Sequence, residues 1–252
     1  MKSLKFFIFL YCFIFFSIHA DTVVVQHNGA NNPATEGWYL RLERWSSASP
    51  IYNDQGYNAW RIYDESTSSG THQYAYDISS ALAVESAQLG WTMSMRIKVM
   101  SLNAPNDSIY MAYIDHNSRL WHMRFGSSGS NPMAQLYTGP GLYDGPGYVV
   151  QGGQNQYHLY ELKYDPDKNA ADLYVNGLLA ISNYNGVNMV GMQPLLSWGA
   201  NHESGTGSAS YNLVSFSQHP EETPEPEPQV PEPGVLIYML IACIFSLYRK
   251  YC

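Results

Sequence analysis

Between residues 91 and 99, large apolar side chains fall on every second position. Trp91, Met93, Met95, Ile97 and Val99 share one face, and Thr92, Ser94, Arg96 and Lys98 share the other. A period of two is the geometry of a strand, so this stretch lies half-buried in a sheet. The pattern repeats along the chain. Residues 109–114 and 120–125 form a pair joined by Asp115-His116-Asn117-Ser118, a run of turn formers. Residues 157–164 and 172–175 flank Asp165-Pro166-Asp167-Lys168-Asn169, and Asn176-Gly177 predicts a tight type I′ hairpin into 178–181. Residues 193–198 and 211–217 supply two more strands. No amphipathic helix of three turns is evident; 78–88 is the one helix candidate and could hold a short turn, and 126–153 reads as loop with a single short strand near 134–137. Many short strands punctuated by turns predict an all-β fold, a two-sheet antiparallel sandwich.

Both ends of the chain differ in kind from this middle. Residues 1–20 carry Lys2 and Lys5, an apolar run and small Ala20 before a polar sequence, the layout of a secretory signal peptide. Residues 221–233 alternate acid and proline, which cannot bury enough surface to fold and favours an extended spacer. A short apolar run, 235–248, then precedes Arg249 and Lys250, which predicts a single C-terminal hydrophobic helix with its basic end in the cytoplasm. Val230-Pro231-Glu232-Pro233, the apolar run, and Arg249-Lys250 together resemble the PEP-CTERM sorting signal (residues 230–252). That resemblance implies a Gram-negative host, an exosortase as processing partner, a membrane partner before processing, and an envelope, surface or matrix location afterwards.

A domain of about 200 residues, 21–220, remains. Its cysteine content is nil, because Cys12, Cys243 and Cys252 all lie in the flanking segments, so neither a disulfide nor a thiolate site is available. The whole chain has net charge −8. Removing the five spacer acids and the four terminal basic residues leaves 16 acids against nine bases, a domain near −7. Nucleic acid is excluded as a partner on that balance.

Three further stretches carry a family likeness: residues 90–99; 157–162 with 172–177; and Trp198-Gly199-Ala200-Asn201. Together they resemble the concanavalin A-like (laminin G-like) jelly roll. With Glu36-Gly37-Trp38, Asn58-Ala59-Trp60 and Ala209-Ser210-Tyr211 they are similar to the lectin-like domain of Vibrio-type bacterial sialidases. The resemblance implies a jelly-roll sandwich that binds glycan. In that family an arginine entering the strand matched by 109–114 binds the sugar carboxylate. Here the alignment places Asp107, which repels a carboxylate and implies a neutral or amino sugar.

Catalytic patterns are missing from the sequence. No Glu-x-Asp-x-x-Glu strand for retaining hydrolysis occurs, Glu85, Glu161 and Glu203 stand apart, and no Gly-x-Ser-x-Gly elbow is present. The histidines lack metal-ligand spacing, with His122 and His158 expected on strand surfaces. No cofactor is expected. A structural calcium has one candidate, Asn53-Asp54-Gln55-Gly56, which reads more simply as a turn. Trp38, Trp60, Trp91 and Trp198 fall on strand-like positions and are expected in the core. The candidate carbohydrate-binding residues are Trp45, beside Arg44 in a polar stretch, Tyr143 (with Tyr137 and Tyr148) in the Gly-Pro loop, and Arg61, Asp107, Arg124 and Asn201 as hydrogen-bonding partners. Two functions stay open: an exported, non-catalytic module that binds glycan or exopolysaccharide, and a structural or adhesive envelope protein whose sandwich contacts another protein. A ring-lined concave face with convergent Asn, Asp and Arg would mark the first, and a flat apolar patch the second.

Overall fold

The computed structural model describes residues 20–64, 70–102, 109–128, 131–139, 145–153, 155–202 and 207–220. In chain order the strands begin with β1 (Thr22–Asn28), β2 (Tyr39–Arg44), β3 (Ser46–Asp54), β4 (Tyr57–Asp64) and β5 (Gly70–Asp77). Helix α1 (Ser80–Leu89) leads into β6 (Trp91–Leu102), β7 (Ile109–Ile114), β8 (Arg119–Ser128), β9 (Asn131–Leu136) and β10 (Gly147–Val149). The rest are β11 (Tyr157–Asp165), β12 (Ala170–Val175), β13 (Leu178–Tyr184), β14 (Val187–Asn188), β15 (Leu195–His202) and β16 (Gly207–Gln218). They form two sheets. The first runs β13-β12-β11-β6-β16-β4-β3, with β1 also paired to β16; the second runs β10-β9-β8-β7-β15-β5-β2, with β14 beside β8. Every pairing is antiparallel. The expected all-β, two-sheet sandwich is what forms.

The alternation in β6 sets the layering. Its apolar face, Trp91 to Val99, points at the inner residues Met111, Tyr113, Trp121, Met123 and Phe125 of β7 and β8, all buried. Two aromatic centres organise the core. Trp91 stacks on Tyr164 at 5.4 Å and meets Trp121, Tyr113 and Phe216 within 6 Å. Trp198 gathers Trp38, Tyr74, Tyr211 and His27. Such pairs add about 0.5–1.5 kcal/mol each beyond area burial. Trp38, Trp60, Trp91 and Trp198 are thus core residues, as their spacing implies. At the Asn176-Gly177 turn both residues have positive φ, 51° and 79°, the primed hairpin that the dipeptide announces.

Three details depart from the sequence reading. Residues 126–153 hold two strands, β9 and β10, where one was expected, because β9 gains a partner on each side from β8 and β10. His158 is buried instead of surface-exposed; its Nε2 lies 3.1 Å from the Gly153 carbonyl and its Nδ1 3.0 Å from Asn176. His122 is half-buried against Tyr110 and Tyr137, and burial pushes its imidazole down to about 3, helped by the Arg124 charge.

Candidate functional site

The outer face of the first sheet carries the polar residues of β6, and the chain folds a hairpin over them. The turn between β3 and β4 has Asn53, Gln55 and Gly56 all at positive φ (53°, 56° and 85°), which curls its tip back across the sheet. Asp54 is the bolt. Its carboxylate takes hydrogen bonds from Lys98 Nζ at 2.5 Å and Tyr157 Oη at 3.0 Å, with Arg61 Nη2 3.9 Å away. Burial by itself would raise this carboxyl, but the bonds from Lys98 and Tyr157 and the two cations bring it below its ordinary value. Gln55 Nε2 adds a bond to the Asn155 carbonyl at 2.8 Å. Asp54 is therefore committed to protein groups, and Asn53–Gly56 is a pinned turn.

Pinning the tip raises two rings. Tyr52 is 70 % exposed and Tyr57 37 %, with Tyr57 packed on Tyr157 at 4.7 Å between centroids. Facing them is the end of β1. Gly29, at φ 63°, donates its N–H to the Asn212 carbonyl at 2.7 Å and lies against Asn58. Behind it Asn32 caps a short 3-10 turn, Pro33–Glu36, and Glu36 reaches back to His27 Nδ1 at 2.6 Å, Asn31 Nδ2 at 2.9 Å and the Asn28 N–H at 3.1 Å. Burial lowers the pKa of His27 despite the neighbouring carboxylate, so the ring is neutral at pH 7 and donates to Glu36 from Nδ1.

Between the two walls lies a groove of about 580 Å³, within the usual range for ligand sites. Its floor is Arg96, Asn212 and Leu213. A register shift between Tyr211 and Leu213 marks a bulge in β16 at Asn212, the device that re-aims a side chain in a regular ladder. Asn212 Oδ1 accepts from Arg96 Nη1 at 3.1 Å and its Nδ2 donates to the Asn58 carbonyl at 2.8 Å. The Arg96 guanidinium lies 5.6 Å from the Tyr57 ring centroid. Two accessible rings, four asparagines and one guanidinium thus converge on one hollow.

The candidate residues that are described, Arg61, Trp45, Arg124 and Asn201, are spread over several elements of both sheets. Arg61 is half-buried beside the groove's hairpin, its Nε donating to Ser210 Oγ at 3.3 Å. Trp45 is 60 % exposed at the corner where the chain passes from β2 to β3, with Arg44 4.3 Å over its ring. Arg124 is buried on the outward side of β8 in the second sheet, donating to Gln135 Oε1 at 3.0 Å. Asn201 pairs with Thr71 across β15 and β5. Asp107 and Tyr143 lie outside the described residues, as do Val230, Pro231, Glu232, Pro233, Arg249 and Lys250. Sequence reasoning missed Tyr52, Tyr57, Arg96 and Asn212 as a set. Their signal was a turn-forming quartet flanked by tyrosines and an arginine on the polar face of β6, and only the fold joins them to Asn212.

The second sheet has a smaller cavity of about 230 Å³ on its outer face. Tyr110, Ala112, Ser197 and Gln73 floor it, Met189, Met192, Ile114 and Leu120 wall it, and Arg41 and His122 edge it. Burial pushes the Tyr110 hydroxyl up to about 12. Among the described residues no three His, Cys, Asp or Glu side chains are grouped to hold a metal ion, and no helix is long and apolar enough to cross a membrane.

No protein-family model and no curated protein matches the chain. Solved structures do. A carbohydrate esterase from a Shiga toxin-encoding bacteriophage superposes with a TM-score of 0.60 at 12 % identity, over 80 % of this chain and all of that one. A sialidase gives 0.49 at 10 % identity over 78 % of this chain, which spans 19 % of it, and the transglycosylase Crh5 gives 0.48 at 11 % identity over 79 % of this chain and 88 % of that one. At such identity the likeness to the esterase is one of backbone alone: the chain shares its antiparallel sandwich architecture.

Proposed function

We propose that the protein is an exported, non-catalytic carbohydrate-binding module, and that the groove between Tyr57 and Asn28 is where glycan binds. The observation that carries this reading is the convergence of two exposed tyrosine rings with the amides of Asn28, Asn31, Asn58 and Asn212 in one hollow. Sugars offer apolar C–H faces that lie on aromatic rings and hydroxyls that both donate and accept, which amides match. The two carboxylates beside the groove, Glu36 and Asp54, are held by His27 and Asn31 and by Lys98 and Tyr157. They are spent on the scaffold, which supports binding without hydrolysis. The sandwich belongs to an architecture that carbohydrate-active proteins also use, a point of analogy only.

Export and sorting complete the proposal. The N-terminal segment directs secretion, and the resemblance of residues 230–252 to the PEP-CTERM signal assigns an exosortase as processing partner and the envelope or matrix as destination. A glycan array with the purified protein tests the binding; loss of every hit in Tyr57→Ala is expected, and hits unchanged in that variant would refute the groove. Mass spectrometry of the protein from its own host tests the sorting. A mature form still containing residues 235–252 would replace it with a simple tail anchor.

A further inference from the structure

We infer that the groove selects acidic glycans, polymers whose sugars carry carboxylates, and that Arg96 is the residue that reads the carboxylate; this rests on the groove being the glycan site. Electrostatics comes first. The chain is acidic overall, −8, yet the residues lining the groove include one charged side chain, Arg96, and no acid. The carboxylates beside the groove are engaged: Glu36 with His27, Asn31 and the Asn28 N–H, Asp54 with Lys98 and Tyr157. A positive charge at the floor of a groove in an otherwise negative molecule concentrates an anion there.

Geometry comes second. Arg96 is half-buried and makes no ion pair among the described residues; one donor, Nη1, is used on Asn212. Asn212 is itself fixed by its bond to the Asn58 carbonyl, and the Tyr57 ring lies beside the guanidinium. The fork is held in direction with most of its N–H groups still available. A planar fork held this way matches a carboxylate with two parallel bonds, which a hydroxyl cannot return. The asparagines and tyrosines recognise features common to all sugars, so selection falls to Arg96. The expectation of a neutral or amino sugar came from Asp107, which lies outside the described residues; the groove argues for the opposite charge.

The test is affinity gel electrophoresis of the full purified protein in polygalacturonate, in dextran and in dextran sulfate. At low salt polygalacturonate should bind at least about tenfold more tightly than dextran, the size of one charge-assisted hydrogen-bonded pair. Arg96→Gln should lower polygalacturonate to the dextran level, with Arg96→Lys intermediate, each checked for an unchanged melting temperature. Equal binding of dextran and polygalacturonate, or a preference that survives Arg96→Gln, overturns the inference while a Tyr57-dependent affinity keeps the groove as the glycan site. Tighter binding of dextran sulfate also overturns it, since that would be attraction without the fork. Binding to none of the three, with a hit-free glycan array, overturns the underlying reading as well.

Discussion

The two outer faces of the sandwich solve the same problem in opposite ways. Each sheet must dispose of polar groups on its outward side. The first sheet folds a hairpin across them and neutralises them pairwise, Asp54 against Lys98 and Tyr157, leaving a wide groove with rings at its rim. The second closes its face with methionines and aliphatic residues over Tyr110 and Ser197, leaving a narrow cavity. A wide groove with exposed rings suits an extended polymer; a narrow, mostly apolar one does not. What separates them is one salt-bridged turn.

Breaking that turn gives the largest expected effect. Asp54→Ala strands Lys98, which is nearly buried, without its carboxylate, and losing one partner of such a pair costs about 3 kcal/mol. Urea unfolding should report the loss, and glycan binding should fall with it as Tyr52 and Tyr57 lose their support. If stability holds within experimental error, the bolt is not what shapes the groove. Next comes Tyr57→Ala, which should cost about 2 kcal/mol of glycan affinity, the level of a central aromatic anchor, with little change in stability. Calorimetric titration decides it.

Acid separates the two faces by pH window. His122, on the second sheet, has its folded value pushed down from 6.5 to about 3. Between those values the unfolded chain holds a proton that the folded chain refuses, so stability falls as pH drops below 6.5, and His122→Asn should flatten that slope. Asp54, on the first sheet, lies below its ordinary 3.8. Its contribution is complete above that value and disappears only as pH falls through the lower folded one, so Asp54→Asn should differ from the native chain most above pH 4 and converge with it below. Stability profiles of the two variants that overlay each other would erase the distinction. The smallest effect is expected from Ala112→Leu, which fills the second cavity; polymer affinity should not move, and a loss would transfer binding to that face.

Much of this architecture was legible in the sequence because burial imposes a period. The alternation from Trp91 to Val99, the Asn176-Gly177 turn and the four core tryptophans follow from local pattern. Strands β2 to β5 were harder. In β2 and β3 no side chain is fully buried, so the pattern that betrays a strand is absent. The groove was harder still. Tyr57, Arg96 and Asn212 meet only because β4, β6 and β16 are neighbours and a bulge turns Asn212 outward, and pairing order is not written in any one segment. Arg61, expected from the sequence as a hydrogen-bonding partner of the sugar, donates to Ser210 beside this region.

One pairing bears on how such a molecule can come into being. Strand β16 lies at the heart of the first sheet, bonded to β6 on one side and to β4 and β1 on the other, with Thr22 opposite Gln218. A chain delivered N-terminus first keeps β1, β4 and β6 waiting until residue 207 arrives. Closing loops that long is slow, and the exposed edges stick to one another meanwhile. The centre of the sheet, where β16 joins β6 to β4 and β1, therefore closes only after the last strand is available, while β6, β11, β12 and β13 can pair before it.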